Sequence, residues 1–179
     1  MIDSVKENGK LVNQSKTVMT EMIMPNDTNP MGNLMGGYLM RWMDIACAVC
    51  AARHCSSQVA TASVDHISFH EPIKLGDVIT LTAVVTRAFN TSVEIFVEVS
   101  AADITGENPR QSNHAYFTFV AIDKKTGKPM KVPAVIPITI EEKKQFEVAL
   151  RRRELRLILA GKMKPEDATE LRMFFADLK

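Results

Sequence analysis

This sequence carries almost no net charge, 22 Lys and Arg standing against 21 Asp and Glu for a formal +1. No global field therefore draws it to nucleic acid or to an anionic membrane surface, and an anionic ligand would have to meet a local patch. It also lacks any run of about 18 apolar residues free of charge, the length a membrane-spanning helix needs. The segment Met1 to Gln14 is polar, without an apolar signal core, so a cytoplasmic protein is expected rather than a secreted one. Cysteine is scarce. Three of them, an odd number in a chain expected to stay reduced, exclude a disulfide framework. Cys47, Cys50 and His54 would share one helix face with Cys55 beside them, but no second cluster closes a zinc site from a separate segment. The thiols are read as small packing residues, and no metal is expected. There is no internal repeat and no helix-turn-helix pattern.

What the sequence does contain is a loop and a helix around which the rest is arranged. Asn, Asp, Thr, Pro and Gly crowd Pro25 to Gly37, each favouring turns, whereas from Tyr38 to Arg53 no Gly or Pro interrupts a run rich in Ala, Met, Leu and Cys. Such a helix is apolar on nearly every side and is expected to be buried all round, yet it carries a carboxylate, Asp44. Strands are expected at Ser15–Met24, Gln58–Pro72, Val78–Ala88, Val93–Ser100 and Ser112–Ile122, with turns at Leu75-Gly76-Asp77 and Asn90-Thr91-Ser92. The alternation of Val93, Ile95, Val97 and Val99 puts one face of its strand inward and sends Glu94 and Glu98 toward solvent. One helix and about five strands joined by short turns indicate an α+β fold, an antiparallel sheet curled around one helix.

Past Pro133 and Pro137 the composition changes. Thr139 caps a helix with an acidic first turn, Phe146, Ala149, Leu150 and Leu157 recur at helical spacing, and Gly161 stops it. Arg151, Arg152, Arg153 and Arg156 read as its solvated face. The length of 179 residues suits one domain with an appendage. The expected division is a flexible leader over 1–14, the main domain over 15–137 and a C-terminal helical extension over 138–179.

Placed together, Met24-Pro25-Asn26-Asp27-Thr28-Asn29, Gly32-Asn33, Gly36-Gly37, Met40-Arg41-Trp42-Met43-Asp44 and Ala52-Arg53-His54-Cys55 resemble the hotdog-fold acyl-CoA thioesterases of the YciA and brain acyl-CoA hydrolase type. Ser63 to His70, Gly76-Asp77, Asn90 to Glu94 and Glu142 to Glu147 continue the likeness, which spans about residues 15 to 150 in order. The resemblance implies a hotdog domain that hydrolyses acyl-CoA to free fatty acid and coenzyme A. It further implies a dimer, often assembled as a trimer of dimers, with active sites on the dimer seam. There Asn29 of one subunit would act with Asp44 of the other. No cofactor is implied, coenzyme A being part of the substrate.

A thioester carbonyl is weakly resonance-stabilised and thiolate leaves readily, so hydrolysis needs a directed water or carboxylate and donors for the oxyanion. Gly36 and Gly37, opening the helix, offer backbone N–H groups reinforced by the helix dipole and no Cβ to bar approach. They are assigned the oxyanion hole. Asp44 is general base or nucleophile, Asn29 orients the water or carbonyl, and Ser68, Thr61 or Ser63 would add a hydrogen bond. The structural alternative for Asp44 is an ion pair with Arg41 on the same helix face, and for Asn29 a turn before Pro30. Arg87, Lys128, Lys131 and Arg53 are the cations for coenzyme A phosphates, with Asn90, Thr91 and Ser92 beside them. His66 and His70 share one strand face and are read as sheet-face histidines, and His54 as a helix-end residue meeting carbonyls. Rival readings are a hotdog hydratase or dehydratase and a non-catalytic acyl-CoA sensor.

Overall fold

The computed structural model describes residues 9–69 and 71–176. Its elements, in chain order, are β1 (Gly9–Leu11), β2 (Thr17–Met22), α1 (Gly36–Cys55), β3 (Gln58–Phe69), β4 (Val78–Ala88), β5 (Ser92–Ala102), β6 (Arg110–Ile122), β7 (Ala134–Ile136), α2 (Ile140–Leu159) and α3 (Thr169–Ala176). The pair His66 and His70 lies outside the described residues, His66 in its side chain and His70 altogether. The chain divides into two compact units, Met1–Ile136 and Pro137–Lys179.

In the first unit β2-β4-β5-β6-β3 form one antiparallel sheet. Alternate residues of β4, β5 and β6 pack inward, among them Ile79, Leu81, Val93, Ile95, Val97, Phe117 and Phe119, all buried. α1 packs on this face, against β4, β3, β5, β2 and β6. Its small residues Ala46, Cys47, Cys50 and Ala51, each fully buried, let the helix backbone approach the sheet closely, with Leu39, Trp42 and Met43 filling the wider gaps. No described helix is long and apolar enough to cross a membrane.

The helix is not enclosed on every side, which corrects the expectation from its composition. Met40, Ile45 and Val49 are 41%, 37% and 38% exposed, and with Asp44 they lie on the face turned away from the sheet. An apolar residue reads the same whether it packs inside its own chain or waits for a partner. Residues 9–14, assigned to a flexible leader, instead form β1, which pairs in parallel with β7, and a 3-10 turn at Val12–Gln14. Lys10 secures this strand to the helix end, its Nζ donating to Arg53 O at 2.7 Å and to Ser56 Oγ at 2.8 Å. Glu94 is a second correction. It is fully buried on the face opposite α1, where the Thr86 hydroxyl donates to its Oε1 at 2.7 Å.

His54, fully buried in the last turn of α1, meets the carbonyl of Pro133 through Nε2 at 3.0 Å. A carbonyl only accepts, so Nε2 carries the proton and Nδ1 is left buried without a partner among the described residues. Burial pulls the imidazole below its ordinary range, the Pro133 bond opposing this and Lys10 adding to it. The unfolded chain therefore binds the extra proton first, and native stability is fully present above the ordinary histidine range and declines as pH falls through it. The thermal midpoint is expected to drop between about pH 7 and pH 5, and less steeply in His54→Gln, whose amide keeps the bond to Pro133 without titrating. Parallel slopes in the two proteins would refute this account.

In the second unit Thr139 caps α2 as expected. Its Oγ1 accepts from Glu142 N at 3.1 Å, while Glu142 Oε2 accepts from Thr139 N at 3.1 Å. Gly161 follows the helix at φ 65°, a left-handed conformation that suits glycine and ends the element. The buried Glu154 caps the neighbouring helix, its carboxylate accepting from Glu170 N at 3.2 Å and Leu171 N at 2.9 Å. The arginines are not a uniform solvated face: Arg151 stacks over Phe174, 4.6 Å from the ring centroid, and Arg152 donates to Gln145 O at 3.1 Å.

Candidate active site

Asp44 stands on the open face of α1, half-buried. Thr61 of β3 donates to its Oδ1 at 2.9 Å, and among the described residues no ion pair joins it to Arg41. Thr61 pairs with the inward-facing Phe119, on the helix side of the sheet. Ser63 lies opposite Thr118, so β3 holds one extra residue, Ala62, which turns Ser63 the other way. Ser63 takes the other face of the sheet with Thr118, and both hydroxyls are buried without a partner among the described residues. Ser63 is therefore not beside Asp44.

The loop before α1 is built on Asn29. Its Oδ1 accepts from Met31 N at 2.9 Å and Asn33 N at 3.2 Å, and its backbone N–H donates to Asn33 O at 2.8 Å. The carbonyl end of the side chain thus organises the turn, while no bond among the described residues engages the amide nitrogen. Asp27 closes the same loop by accepting from Met24 N at 2.9 Å. Met35 then caps the helix without a side-chain hydrogen bond, so the N–H groups of Gly36 and Gly37 are unclaimed among the described residues. A Cβ on Gly37 would meet nothing within 4 Å. Beside Gly36 lies a recess of about 260 Å³ whose wall includes Leu34, Leu39, Ile73 and Asn113. Gly36 and Asp44 are separated by about 12 Å along the helix, at 1.5 Å per residue.

The remaining predicted residues fall in two places. Ser68, near the end of β3, has its carbonyl taken by Asn113 Nδ2 at 2.7 Å. The others gather at the opposite end of the sheet. Arg87 is the last residue but one of β4, Asn90, Thr91 and Ser92 turn into β5, and Val132 N donates to Asn90 O at 3.1 Å. This bond brings Lys131 beside the turn, where it lines a cavity of about 480 Å³ with Cys55, Ala88, Phe89 and Met130. Lys128 is exposed in a separate turn, its carbonyl accepting from Asp123 N at 2.9 Å. Arg53 is turned to β2, donating to Thr17 Oγ1 at 3.1 Å. Sequence reasoning missed Ser112 and Asn113, buried in β6 behind the helix entry.

Cys47, Cys50 and Cys55 are free and buried. Burial raises all three thiols, Cys50 to about 12 and Cys55 to about 11. At neutral pH they stay protonated and are poor nucleophiles and poor metal ligands. Among the described residues no group of three His, Cys, Asp or Glu side chains could hold a metal ion.

An antiparallel sheet curled on a single helix whose N-terminus opens beside a cleft defines the hotdog fold. Residues 31–107 match the thioesterase superfamily. The chain is 39% identical over 140 residues to the uncharacterized acyl-CoA thioester hydrolase YkhA of Bacillus subtilis, an alignment covering 78% of this chain and 80% of that protein. It belongs to the acyl-CoA thioester hydrolase family. To the cytosolic acyl coenzyme A thioester hydrolase of Mus musculus it is 38% identical over 138 residues, 76% of this chain, and spans only 36% of that protein's length. A Staphylococcus aureus acyl-CoA hydrolase, solved with butyryl coenzyme A, coenzyme A and coenzyme A disulfide, superposes with TM-score 0.78 at 35% identity, covering 86% of this chain and 94% of that one. A hexameric acyl-CoA thioesterase does so with TM-score 0.82 at 35% identity, covering 86% and 97%. The S. aureus protein has also been solved as alanine mutants of one asparagine, one aspartate and one threonine. Those three positions have the same spacing as Asn29, Asp44 and Thr61.

Proposed function

We propose that this protein hydrolyses acyl-CoA thioesters to a free fatty acid and coenzyme A. The observation that carries the reading is Asp44, held by Thr61 on the open face of a helix whose first N–H groups are unclaimed. The carbonyl oxygen of the thioester sits at the N–H groups of Gly36 and Gly37, where the helix dipole favours the charge that develops on it. Asp44 either takes a proton from the attacking water, the tetrahedral intermediate then expelling the thiolate and leaving the fatty acid, or attacks the carbonyl carbon itself and expels the thiolate to give an acyl anhydride that water then hydrolyses to the fatty acid and free Asp44. The free amide of Asn29 orients the water or the carbonyl.

One chain does not bracket a carbonyl with these groups. Reacting atoms must come within about 3–3.5 Å, whereas Gly36 and Asp44 stand about 12 Å apart along α1. A second copy resolves the mismatch by bringing its Asp44 to the Gly36 end of the first. The exposed apolar side chains of Met40, Ile45 and Val49 and the place of β3 at the sheet edge, with no further strand beside it among the described residues, support such a dimer, since long edges invite pairing. Assembly of dimers as a trimer, giving a hexamer, follows the hexameric relative. Residues Arg87, Asn90, Thr91, Ser92 and Lys131 around the cavity at the C-terminal end of α1, with Lys128, are the part of this reading that meets the phosphates of coenzyme A. No cofactor enters, and a cytoplasmic setting suits the reduced, buried thiols.

A thiol-release assay across acyl-CoA chain lengths tests the reaction, and turnover on none of them would refute it. The same assay examines Thr61. In Thr61→Val the carboxylate loses the Thr61 donor at nearly constant volume, and kcat is expected to fall roughly tenfold with KM little changed, as for one hydrogen bond to a charged group. An unchanged kcat would remove Thr61 from the site.

A further inference from the structure

We infer that Asn113 and Ser112 are positioning residues, which brace the entry of α1 from behind and thereby set where the Gly36 and Gly37 N–H groups stand. The inference rests on the proposed thioesterase site and concerns the support of its oxyanion donors. Both side chains are buried, at 1% and 0% exposure, in a strand whose ladder requires only backbone groups. Buried polar side chains need partners, and each here reaches the end of β3 and the segment that follows.

Asn113 Nδ2 donates to Ser68 O at 2.7 Å. Because a carbonyl only accepts, this bond fixes which way the amide faces. The Ser112 hydroxyl lies 3.0 Å from Glu71 O and 2.5 Å from Asn113 Oδ1, sharing its proton between them. The β3–β6 pairing shifts register between Asp65 and Ser68 and resumes at Ser68–His114 and Phe69–Asn113, so these bonds hold the last paired residues of β3 and the segment just past them. The chain then passes Pro72 to Ile73, whose carbonyl accepts from Leu34 N at 2.7 Å, and Leu75 N donates to Gly32 O at 3.0 Å. Leu34 is two residues from Gly36. Two buried side chains of β6 are thus tied to the N-terminus of the helix through hydrogen bonds joined by short backbone stretches, 71–73 and 34–36, and Asn113 lines the recess beside Gly36.

Displacing reacting groups by about 1 Å from a distant site costs up to about 10²-fold in rate. Asn113→Ala is therefore expected to lower kcat on acyl-CoA between about tenfold and 10²-fold with KM within about twofold, and Ser112→Ala to do so more weakly. In both, amide hydrogen exchange over residues 34–39 should quicken while the core strands β4 and β5 exchange as in the wild type. A side chain serving general stability would instead quicken exchange throughout and leave kcat per folded molecule unchanged. That result, or wild-type exchange at 34–39 in either folded variant, overturns the inference, as does failure of both variants to fold. Exchange needs no substrate, so a wild type inactive on acyl-CoA would sink the proposed reaction while the brace is still tested.

Discussion

Asp44→Asn is expected to fold normally and to lose about 10²- to 10⁴-fold in kcat, the range a positioned general base contributes. The amide keeps an oxygen for the Thr61 hydroxyl, so the hydrogen bond from Thr61 survives. Asp44 is half-buried and has no ion pair among the described residues, so no buried countercharge is stranded. The stability change should stay within about 1 kcal/mol. What the substitution removes is the basic lone pair, or the nucleophilic oxygen, that the reaction uses. Thiol release from a saturating acyl-CoA, with circular dichroism on the same sample, checks both halves. Wild-type turnover would exclude Asp44 from the chemistry, and an unfolded variant would make it a structural residue.

Gly37→Leu should separate activity from stability in the opposite sense. A Cβ at Gly37 meets nothing within 4 Å, and the residue lies in the first turn of a helix, where replacing glycine gains up to about 1 kcal/mol. The protein is expected to melt at the same temperature or slightly higher. Yet the new side chain would stand in the open space above the N–H groups where the thioester must come. Loss of one oxyanion donor costs about 10² to 10³ in kcat, and shading the pair should cost at least as much. Full activity with a raised midpoint would show that this helix terminus does not receive the carbonyl.

Much of this arrangement is legible in the sequence, for identifiable reasons. The run from Tyr38 to Arg53 has no helix breaker, the loop before it is dense in turn formers, and the Thr139 to Glu142 spacing marks a capping box; these signals are local and the fold keeps them. What depends on register or on covering layers is not legible. Alternation in β5 places Glu94 opposite the core face but says nothing of what lies over that face, and the residue is buried. Thr61 and Ser63 look equivalent in sequence, but one extra residue at Ala62 sends them to opposite sides. The open stripe on α1 is hidden because its apolar residues resemble those of the buried face. Ser112 and Asn113 did leave a signal, three successive polar residues from Ser112 to His114 at the start of an expected strand. Their partners, the carbonyls of Ser68 and Glu71 at and beyond the end of β3, are set by tertiary packing that the sequence does not display.

The central claim is that Asn29 with the Gly36 and Gly37 donors of one subunit meets Asp44 of another. It is tested most directly by mixing two dead variants, Asn29→Ala and Asp44→Ala, denaturing and refolding them together in equal amounts. In a two-fold dimer a mixed pair rebuilds one complete site from its unaltered halves, so the mixture should recover about a quarter of wild-type turnover by random pairing. Each variant refolded alone should stay inactive. A mixture that forms mixed dimers and still releases no thiol would contradict the shared site and return all the chemistry to a single chain.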